Sequence, residues 1–151
     1  MIKTLVPSDD PILHNRIAKC SYNLDRFQFS SILLENMKHY EGVGLSANQI
    51  GIAERVFIMY SDLETKDTIT CYNPRILKES KEQVKMQEGC LSYPDMTLDI
   101  DRSATIVVKY ETEDKKPRKE KLTGLIARIF LHEYDHMEGI DFTQRADLAQ
   151  R

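Results

Sequence analysis

Residues 123–139 constrain the fold more than any other segment, because their apolar residues and histidines repeat with a helical period. Leu125, Ile129, His132 and His136 follow one another at intervals of four, three and four residues. Side chains at these intervals lie on one face of an α-helix. The two histidines continue an apolar stripe, so we predict a helix that points both imidazoles toward the core.

The pentapeptide at 132–136 has the pattern H-E-x-x-H. Histidines four residues apart on a helix can bring two ring nitrogens to one metal ion. The glutamate beside the first histidine, Glu133, then lies next to the ion's open position, where it can take a proton from water. The alternative is a structural helix with two core-facing histidines, which the cost of burying uncompensated imidazoles disfavours.

A catalytic metal site needs a third protein ligand, and the sequence places it upstream. Position 142, where one large class of zinc peptidases has a histidine, is Phe142, and few residues follow. Cys90, in the run Glu88–Ser92, is the best candidate because thiolates bind divalent transition metals strongly. A lone cysteine is otherwise a small buried apolar residue, and this is our interpretation of Cys20 and Cys71.

The run Gly42–Gln49 is rich in small residues and follows a predicted helix. Its spacing is not that of a dinucleotide-binding loop. Small residues allow the backbone of a ligand to approach closely, and Gln49 offers an uncharged amide donor suited to an oxyanion beside a metal. A flexible surface loop is the alternative interpretation.

The N-terminal third reads as two helices. In the first, Asp10 is a candidate cap, Pro11 suits the first helical position, and Leu13 and Ile17 share a face. The second is predicted from Asp25 to about Tyr40, with an apolar stripe of Phe29, Leu33 and Met37 and a stop at Gly42.

The middle of the chain reads as strands, which we predict at Arg55–Tyr60, Thr68–Leu77, Gln83–Gln87 and Ala104–Glu111. Glu113–Pro117 is predicted as a polar turn. This order of elements predicts a single α+β domain in which antiparallel sheets pack around a central metal-binding helix.

Charge and cysteine content narrow the classes of function. The chain has 151 residues with 21 basic and 24 acidic side chains, so its net charge of −3 argues against bulk nucleic-acid binding, including DNA. It shows no membrane-spanning run or signal peptide, and its three cysteines form no Cys-x-x-Cys, so a reducing cytoplasm is expected. The basic run at 115–121 is interpreted as a solvated hairpin loop, with an RNA-binding patch as the alternative.

Taken together, the three clusters resemble the peptide deformylase family. Its motifs G-φ-G-L-[AS]-A-x-Q (φ apolar), E-G-C-[LM]-S and H-E-x-D-H occur here in order at 42–49, 88–92 and 132–136. The intervals from 49 to 90 and from 90 to 132 are also typical of the family. The similarity extends through Tyr72-Asn73-Pro74, Arg102 and 124–128, and so covers nearly the whole chain.

The resemblance implies removal of the N-formyl group from the formyl-methionine of nascent polypeptides, with release of formate. It assigns metal binding to Cys90, His132 and His136, catalysis to Glu133, Gln49 and the Leu91 backbone, and substrate binding to Val43, Gly44, Met86, Glu88, Gly89, Leu125 and Ile129. Within the last group, the glycine backbones pair with the substrate main chain, and the apolar residues enclose the methionine side chain. Family members commonly work with Fe²⁺, which we expect in vivo, and Zn²⁺, Ni²⁺ or Co²⁺ fit the same ligands.

Some features depart from the family's common pattern. Leu131 stands where many members have glutamine, and Met86 and Arg128 occupy positions that line the methionine pocket. The tail at 141–151 is expected to add only a marginal helix, so any ribosome contact would be transient or use another surface. The compact form resembles some phage-borne or organellar relatives, so host cytoplasm or an organelle is also compatible. Two other functions stay open: an H-E-x-x-H metallopeptidase and a non-catalytic binding module.

Overall fold

Two antiparallel sheets surround a buried helix in the computed structural model, which describes residues 1–149. In chain order the elements are a 3₁₀ turn (Pro11–Leu13), α1 (Arg26–His39), β1 (Gly44–Ser46), a second 3₁₀ turn (Ala47–Ile50), β2 (Val56–Tyr60), β3 (Thr68–Glu79), β4 (Gln83–Cys90), β5 (Tyr93–Ser103), β6 (Thr105–Glu111), β7 (Pro117–Thr123), α2 (Gly124–Met137) and α3 (Phe142–Ala149). One sheet has the strand order β1-β2-β3-β6-β7, and β4 and β5 form a separate hairpin. The predicted α+β class, with antiparallel sheets around the H-E-x-x-H helix, is confirmed.

Strand β2 is the centre of the core because helices cover both of its faces. Val56 and Ile58 pack with α1, whereas Phe57 and Met59 pack with α2. Alternation along a strand produces these two faces, and apolar residues on both explain why the strand is a continuous apolar run. The two α-helices therefore pack against opposite sides of one sheet.

Both long helices begin and end as their sequences predict. Asp25 caps α1 by accepting a hydrogen bond from the Gln28 amide at 3.1 Å, and the Gly42 amide donates to the carbonyl of Met37 beyond its end. Helix α2 is followed by Gly139, whose φ is +73°. A Cβ at this glycine would lie 2.7 Å from the Asn15 backbone, so this turn needs glycine both for its conformation and for the close approach.

The first predicted helix is wrong in its extent. Asp10 does cap it, accepting from the Ile12 amide at 2.9 Å, but the helix is a single 3₁₀ turn that ends at Leu13. Ile17 is buried as expected, but it does not lie on a helix. Its amide donates a hydrogen bond to the carbonyl of Met137 at the end of α2. The amide of Ile17 therefore has a hydrogen-bond acceptor in a distant element instead of the carbonyl four residues earlier that a helix would supply.

Three strands were absent from the sequence prediction: β1, β5 and β7. Strand β5 alternates charged and apolar residues on an exposed hairpin, and β7 lies at the edge of the larger sheet, so neither carries a strong apolar signal. The interpretation of 115–121 as a loop is therefore wrong for 117–121, which pair with β6. Among the described residues, no helix is long and apolar enough to cross a membrane.

Candidate metal centre

Cys90, His132 and His136 converge on one point although they come from different elements. Their ligand atoms all lie within 4.8 Å of one another, and Cys90 Sγ lies 3.5 Å from His136 Nε2. A tetrahedral ion at usual metal–sulfur and metal–nitrogen distances would separate such atoms by about 3.6 Å. The spacing and the Cys/His₂ donor set therefore fit a single divalent metal ion.

The cysteine is delivered by the end of β4. The β4–β5 register is irregular between Gly89 and Cys90, so that Cys90 pairs with Tyr93 across a tight turn. A register irregularity of this kind redirects a side chain at the end of a hairpin. Phe142 and Ile100 pack around the cysteine in a small apolar cluster, which holds the thiol against the two histidines of α2.

His132 is oriented by a buried carboxylate. Its Nδ1 lies 2.9 Å from Glu88 Oε1, which leaves Nε2 free for a metal. Glu88 also accepts hydrogen bonds from Arg102 at 2.6 and 3.0 Å and from Arg128 at 2.5 Å. Burial alone would raise the pKa of Glu88, but the hydrogen bonds from His132 and Arg102 outweigh it and lower the pKa to about 2. A charged Glu88 fixes the ring orientation and tautomer of His132.

The contacts of the Glu88 carboxylate change the roles expected for Glu88 and Arg128, both of which were expected at the substrate-binding site. The Glu88 side chain faces His132 and the arginines, so only its backbone is available to a substrate. Arg128, expected at the methionine pocket, is buried, and its guanidinium donates to Glu88 and to the carbonyls of Ile100 and Val84. It thereby ties α2 to the β4–β5 hairpin.

Ion pairs extend from Glu88 to the C-terminal helix. Arg102 also contacts Asp135 at 2.8 Å, and Asp135 accepts two hydrogen bonds from Arg145 of α3, at 2.7 and 2.9 Å. Helix α3 further buries Phe142 and Ala146 against the hairpin. The tail, expected to add only a marginal helix of its own, does form a helix, and this helix is held by tertiary contacts that local propensity does not encode.

Glu133 is buried beside the ligands without a neutralising contact. Its Oε1 has no hydrogen-bond partner among the described residues, and burial raises its pKa to about 7. A Cβ on Gly44 would come within 2.7 Å of Glu133 Oε2, so the glycine is required for this approach. A buried, unpartnered carboxylate next to three metal ligands is the arrangement expected of a general base.

Gln49 is held rigidly with its amide nitrogen toward the cysteine. Its Oε1 accepts from the amide and hydroxyl of Ser46 at 3.1 and 3.0 Å, while Nε2 donates to Ser92 Oγ at 3.0 Å. The same Nε2 is 3.8 Å from Cys90 Sγ. The amide is therefore oriented by residues on both sides of the site, and the hydroxyl partners Ser46 and Ser92 were not assigned from sequence.

A cavity of about 320 Å³ opens at these residues. It is lined by Gly44, Gln49, Gly89, Cys90, Leu91, Pro94, His132 and Glu133. Pro94 was not predicted, because it belongs to the unpredicted strand β5. The four apolar residues assigned to a methionine pocket are not among the described lining residues: Val43, Met86 and Leu125 are exposed, and Ile129 is in the core.

We expect Cys90→Ser to weaken binding of one divalent ion by more than about 100-fold, because loss of a ligand's hydrogen-bond partner alone typically costs 10–100-fold. A hydroxyl is a much poorer ligand than a thiolate for these metals. Competition titration of Co²⁺ against a coloured chelator measures the effect. Cys71→Ser, at a buried thiol outside the cluster, is the matched control. Parental affinity in Cys90→Ser would show that the third ligand is another group.

The chain is similar over most of its length to known peptide deformylases. The chain is 38% identical over 145 residues to peptide deformylase from Thermotoga maritima, covering 94% of this chain and 85% of that protein. It is 36% identical over 147 residues to peptide deformylase from Natranaerobius thermophilus, covering 97% and 93%.

Solved structures show the same fold. The crystal structure of the T. maritima enzyme has a TM-score of 0.89 at 33% identity, covering 96% of this chain and 97% of that one. The Met-Ala-Ser-bound class I type b peptide deformylase from Acinetobacter baumannii has a TM-score of 0.88 at 30% identity, covering 96% and 98%. The family model described as Polypeptide deformylase matches residues 2–151. With this match over nearly its whole length, the chain belongs to the polypeptide deformylase family.

Proposed function

We propose that Glu133, Gln49 and the Leu91 backbone perform the reaction of this family in the cavity at the metal centre. As a family member, the chain is a metal-dependent hydrolase that removes the N-formyl group from nascent polypeptides. The observation that carries the residue assignment is the buried Glu133 carboxylate, unpartnered at Oε1 in the described structure and adjacent to the Cys90–His132–His136 cluster.

The three ligands are suited to holding one divalent ion. Burial lowers the pKa of His136 to about 3, so its ring is neutral and able to bind a metal. A bound divalent ion supplies Lewis acidity, lowering the pKa of a water ligand from about 15.7 toward about 7. Cys/His₂ ligation accepts Fe²⁺, Zn²⁺, Ni²⁺ or Co²⁺, and we assign Fe²⁺ in vivo by resemblance to the family.

Glu133 is proposed to move the proton in both halves of the reaction. Its Oε1 takes the proton from the attacking water and then returns it to the nitrogen of the leaving amine. A pKa of about 7 matches this dual task, because the carboxylate is neither too weak a base nor too weak an acid at neutral pH. Gly44 admits the carboxylate to the cavity.

Gln49 and Leu91 are proposed to stabilise the oxygen on which negative charge develops. As water adds to the formyl carbon, the formyl oxygen becomes an oxyanion. The Gln49 amide, already held by Ser46 and Ser92, and the Leu91 backbone N–H line the cavity and offer fixed donors. One such donor typically contributes about 2.7–4 kcal/mol to transition-state stabilisation.

The substrate main chain is proposed to lie between two strand edges. In the described sheets, β1 pairs only with β2 and β4 pairs only with β5, so each has a free edge. Gly44 of β1 and Gly89 of β4 both line the cavity, and an extended peptide can add to such edges. The exposed side chains of Val43, Met86 and Leu125 would then contact the methionine side chain, whereas Ile129 lies in the core.

Formate release from formyl-Met-Ala-Ser tests this function. We expect formate from the formylated peptide, loss of activity on chelation and recovery on adding Fe²⁺ or Co²⁺. New amino termini from unformylated Met-Ala-Ser would indicate a metallopeptidase instead. A metal-loaded protein that binds formyl-Met-Ala-Ser without releasing formate would be a non-catalytic module.

We further propose that the enzyme acts in a reducing cytoplasm on N-formyl-methionine chains during their synthesis, with transient ribosome contact. The described structure leaves all three cysteines as free thiols, which supports that compartment. A thiolate-ligated Fe²⁺ site is also most durable under reducing conditions.

A further inference from the structure

A basic groove runs along the N-terminal segment and the larger sheet, away from the metal centre. Two adjoining cavities of about 330 and 340 Å³ share Lys19, Asn73 and Arg75 in their linings. Arg16 extends the first cavity, and the second is lined in addition by Lys109 and Lys115. Neither cavity shares a lining residue with the cavity at the metal centre.

The positive charges of this groove are largely unneutralised, although the chain carries a net charge of −3. Of the described residues, Lys19, Arg75 and Lys109 have no carboxylate as an ion-pair partner, whereas Arg16 pairs with Glu138. Among the described residues that line the two cavities, the one carboxylate is that of Glu111, and it forms an ion pair with Arg26 at 2.9 Å. The groove therefore presents free cations to an external anion.

The strand register places two of these cations in one row with a third cation that lies outside the cavity linings. Arg75 of β3 is directly opposite Lys109 of β6, which is in turn opposite Lys119 of β7. Adjacent strands are about 4.8 Å apart, and like charges directly opposite each other destabilise a sheet. Such a row costs folding free energy unless a polyanion neutralises it, which suggests that the row serves binding.

An exposed aromatic ring lies at one end of the groove. Tyr22 is 91% exposed, and Lys115 Nζ lies 4.8 Å from its ring centroid. Cations that follow a phosphate backbone, combined with an accessible aromatic ring for base stacking, are the features by which proteins hold single-stranded nucleic acid. An acidic peptide would use the cations but not the ring.

We propose that this groove binds single-stranded RNA, with Lys19, Arg75, Lys109 and Lys115 on phosphates and Tyr22 stacked on a base. The choice of RNA over DNA rests on the proposed function, since nascent chains are made on the ribosome, which contains RNA. RNA bound here would hold the enzyme near its substrates while leaving the active-site cavity open.

Fluorescence anisotropy with a labelled 12-nucleotide oligouridylate tests the proposal on the metal-loaded enzyme. Four phosphate contacts predict a slope of log K against log salt of about −3 for a single strand. Lys109→Glu should weaken binding at least ten-fold and reduce this slope, yet leave the melting temperature equal or higher, because it creates opposite-charge pairs with Arg75 and Lys119. Tyr22→Ala should weaken binding about five-fold or more.

Lys85→Glu, on the exposed surface of β4 outside the groove, is the matched control and should bind RNA as the parent does. Formate release from formyl-Met-Ala-Ser should be unchanged in Lys109→Glu and Tyr22→Ala, so a failure of RNA binding is distinguishable from a failure of the deformylase assignment. Absence of binding at 50 mM salt, equal binding by Lys109→Glu, or tighter binding of a polyglutamate peptide than of RNA would overturn the proposal.

Discussion

Glu133→Gln is expected to retain its metal ion and lose activity by about 10²- to 10⁴-fold, the usual contribution of a positioned general base. Glutamine has nearly the same shape, so it fits beside Gly44 without disturbing the three ligands. It cannot accept a proton from water or return one to the amine. Single-turnover formate release, measured together with metal content, separates loss of proton transfer from loss of the ion.

The pH profile gives the same prediction a second readout. The base is active when deprotonated, so the rate should rise with pH toward the pKa of Glu133 and level off above it. Burial raises that pKa to about 7, and because a bound cation favours the charged form, the midpoint lies at or below about 7. Glu133→Gln should lose this limb of the profile.

Glu138→Gln serves as the matched control, because it changes a carboxylate one residue beyond α2 that pairs with Arg16 and Arg55 rather than facing the cavity. It should keep nearly parental activity. A Glu133→Gln variant that has lost its metal would instead place Glu133 among the ligands, and one that remained fully active would remove it from the proton-transfer step.

The sequence predicted the parts of the site that depend on local periodicity or short motifs. The intervals between Leu125 and His136 define one helical face, and that face does carry the two histidines into the cluster with Cys90. The same reasoning found α1, because an apolar stripe and a capping aspartate are properties of neighbouring residues.

The parts that could not be predicted depend on contacts between distant segments. Strand β7 is polar because it lies at a sheet edge, and α3 is helical because Phe142 and Ala146 pack against a hairpin some 40 residues earlier in the chain. The sequence of β7 or of α3 alone does not indicate which segment each of them packs against. The charged residues of β5 also hid the strand from local prediction, because its partner β4 is a separate segment of the chain.

The sequence also did not predict the ion-pair partners of the buried charged residues. Glu88 lies in a recognisable motif, yet its sequence position suggested contact with substrate rather than with Arg102 and Arg128. Asp135 likewise gave no sign of a pairing with Arg145, ten residues later. Ion pairs between separate elements need the three-dimensional arrangement, because sequence spacing constrains partners only within one helix or one strand pair.

The Glu88 network leads to the second large expected effect. Glu88→Gln is expected to destabilise the protein by about 3–5 kcal/mol, because removing one charge from a buried ion-pair network leaves its partners uncompensated. Arg102, Arg128 and His132 all contact the Glu88 carboxylate, and the two arginines are as buried as the glutamate. Urea unfolding with a chelator present measures the change without a contribution from metal binding.

Metal affinity should fall as well, by about 10–100-fold, because Glu88 sets the orientation of His132 through Nδ1. Co²⁺ titration of Glu88→Gln measures this effect on the folded protein at low temperature. Glu111→Gln is the matched control: it removes one member of a half-buried pair with Arg26 that has no contact with the metal ligands, so it should bind Co²⁺ normally.

The pH dependence of stability distinguishes the charge of Glu88 from its shape. The hydrogen bonds from His132 and Arg102 lower the folded-state pKa of Glu88 to about 2, against an ordinary value of 4.5. A lowered pKa means that the stabilisation is fully present above pH 4.5 and disappears as the pH falls toward 2. The difference in unfolding free energy between the parent and Glu88→Gln should therefore narrow steadily as the pH falls below 4.5. A difference that stayed the same down to pH 2 would mean that packing of the side chain, and not its charge, joins the metal helix to the hairpin that carries Cys90.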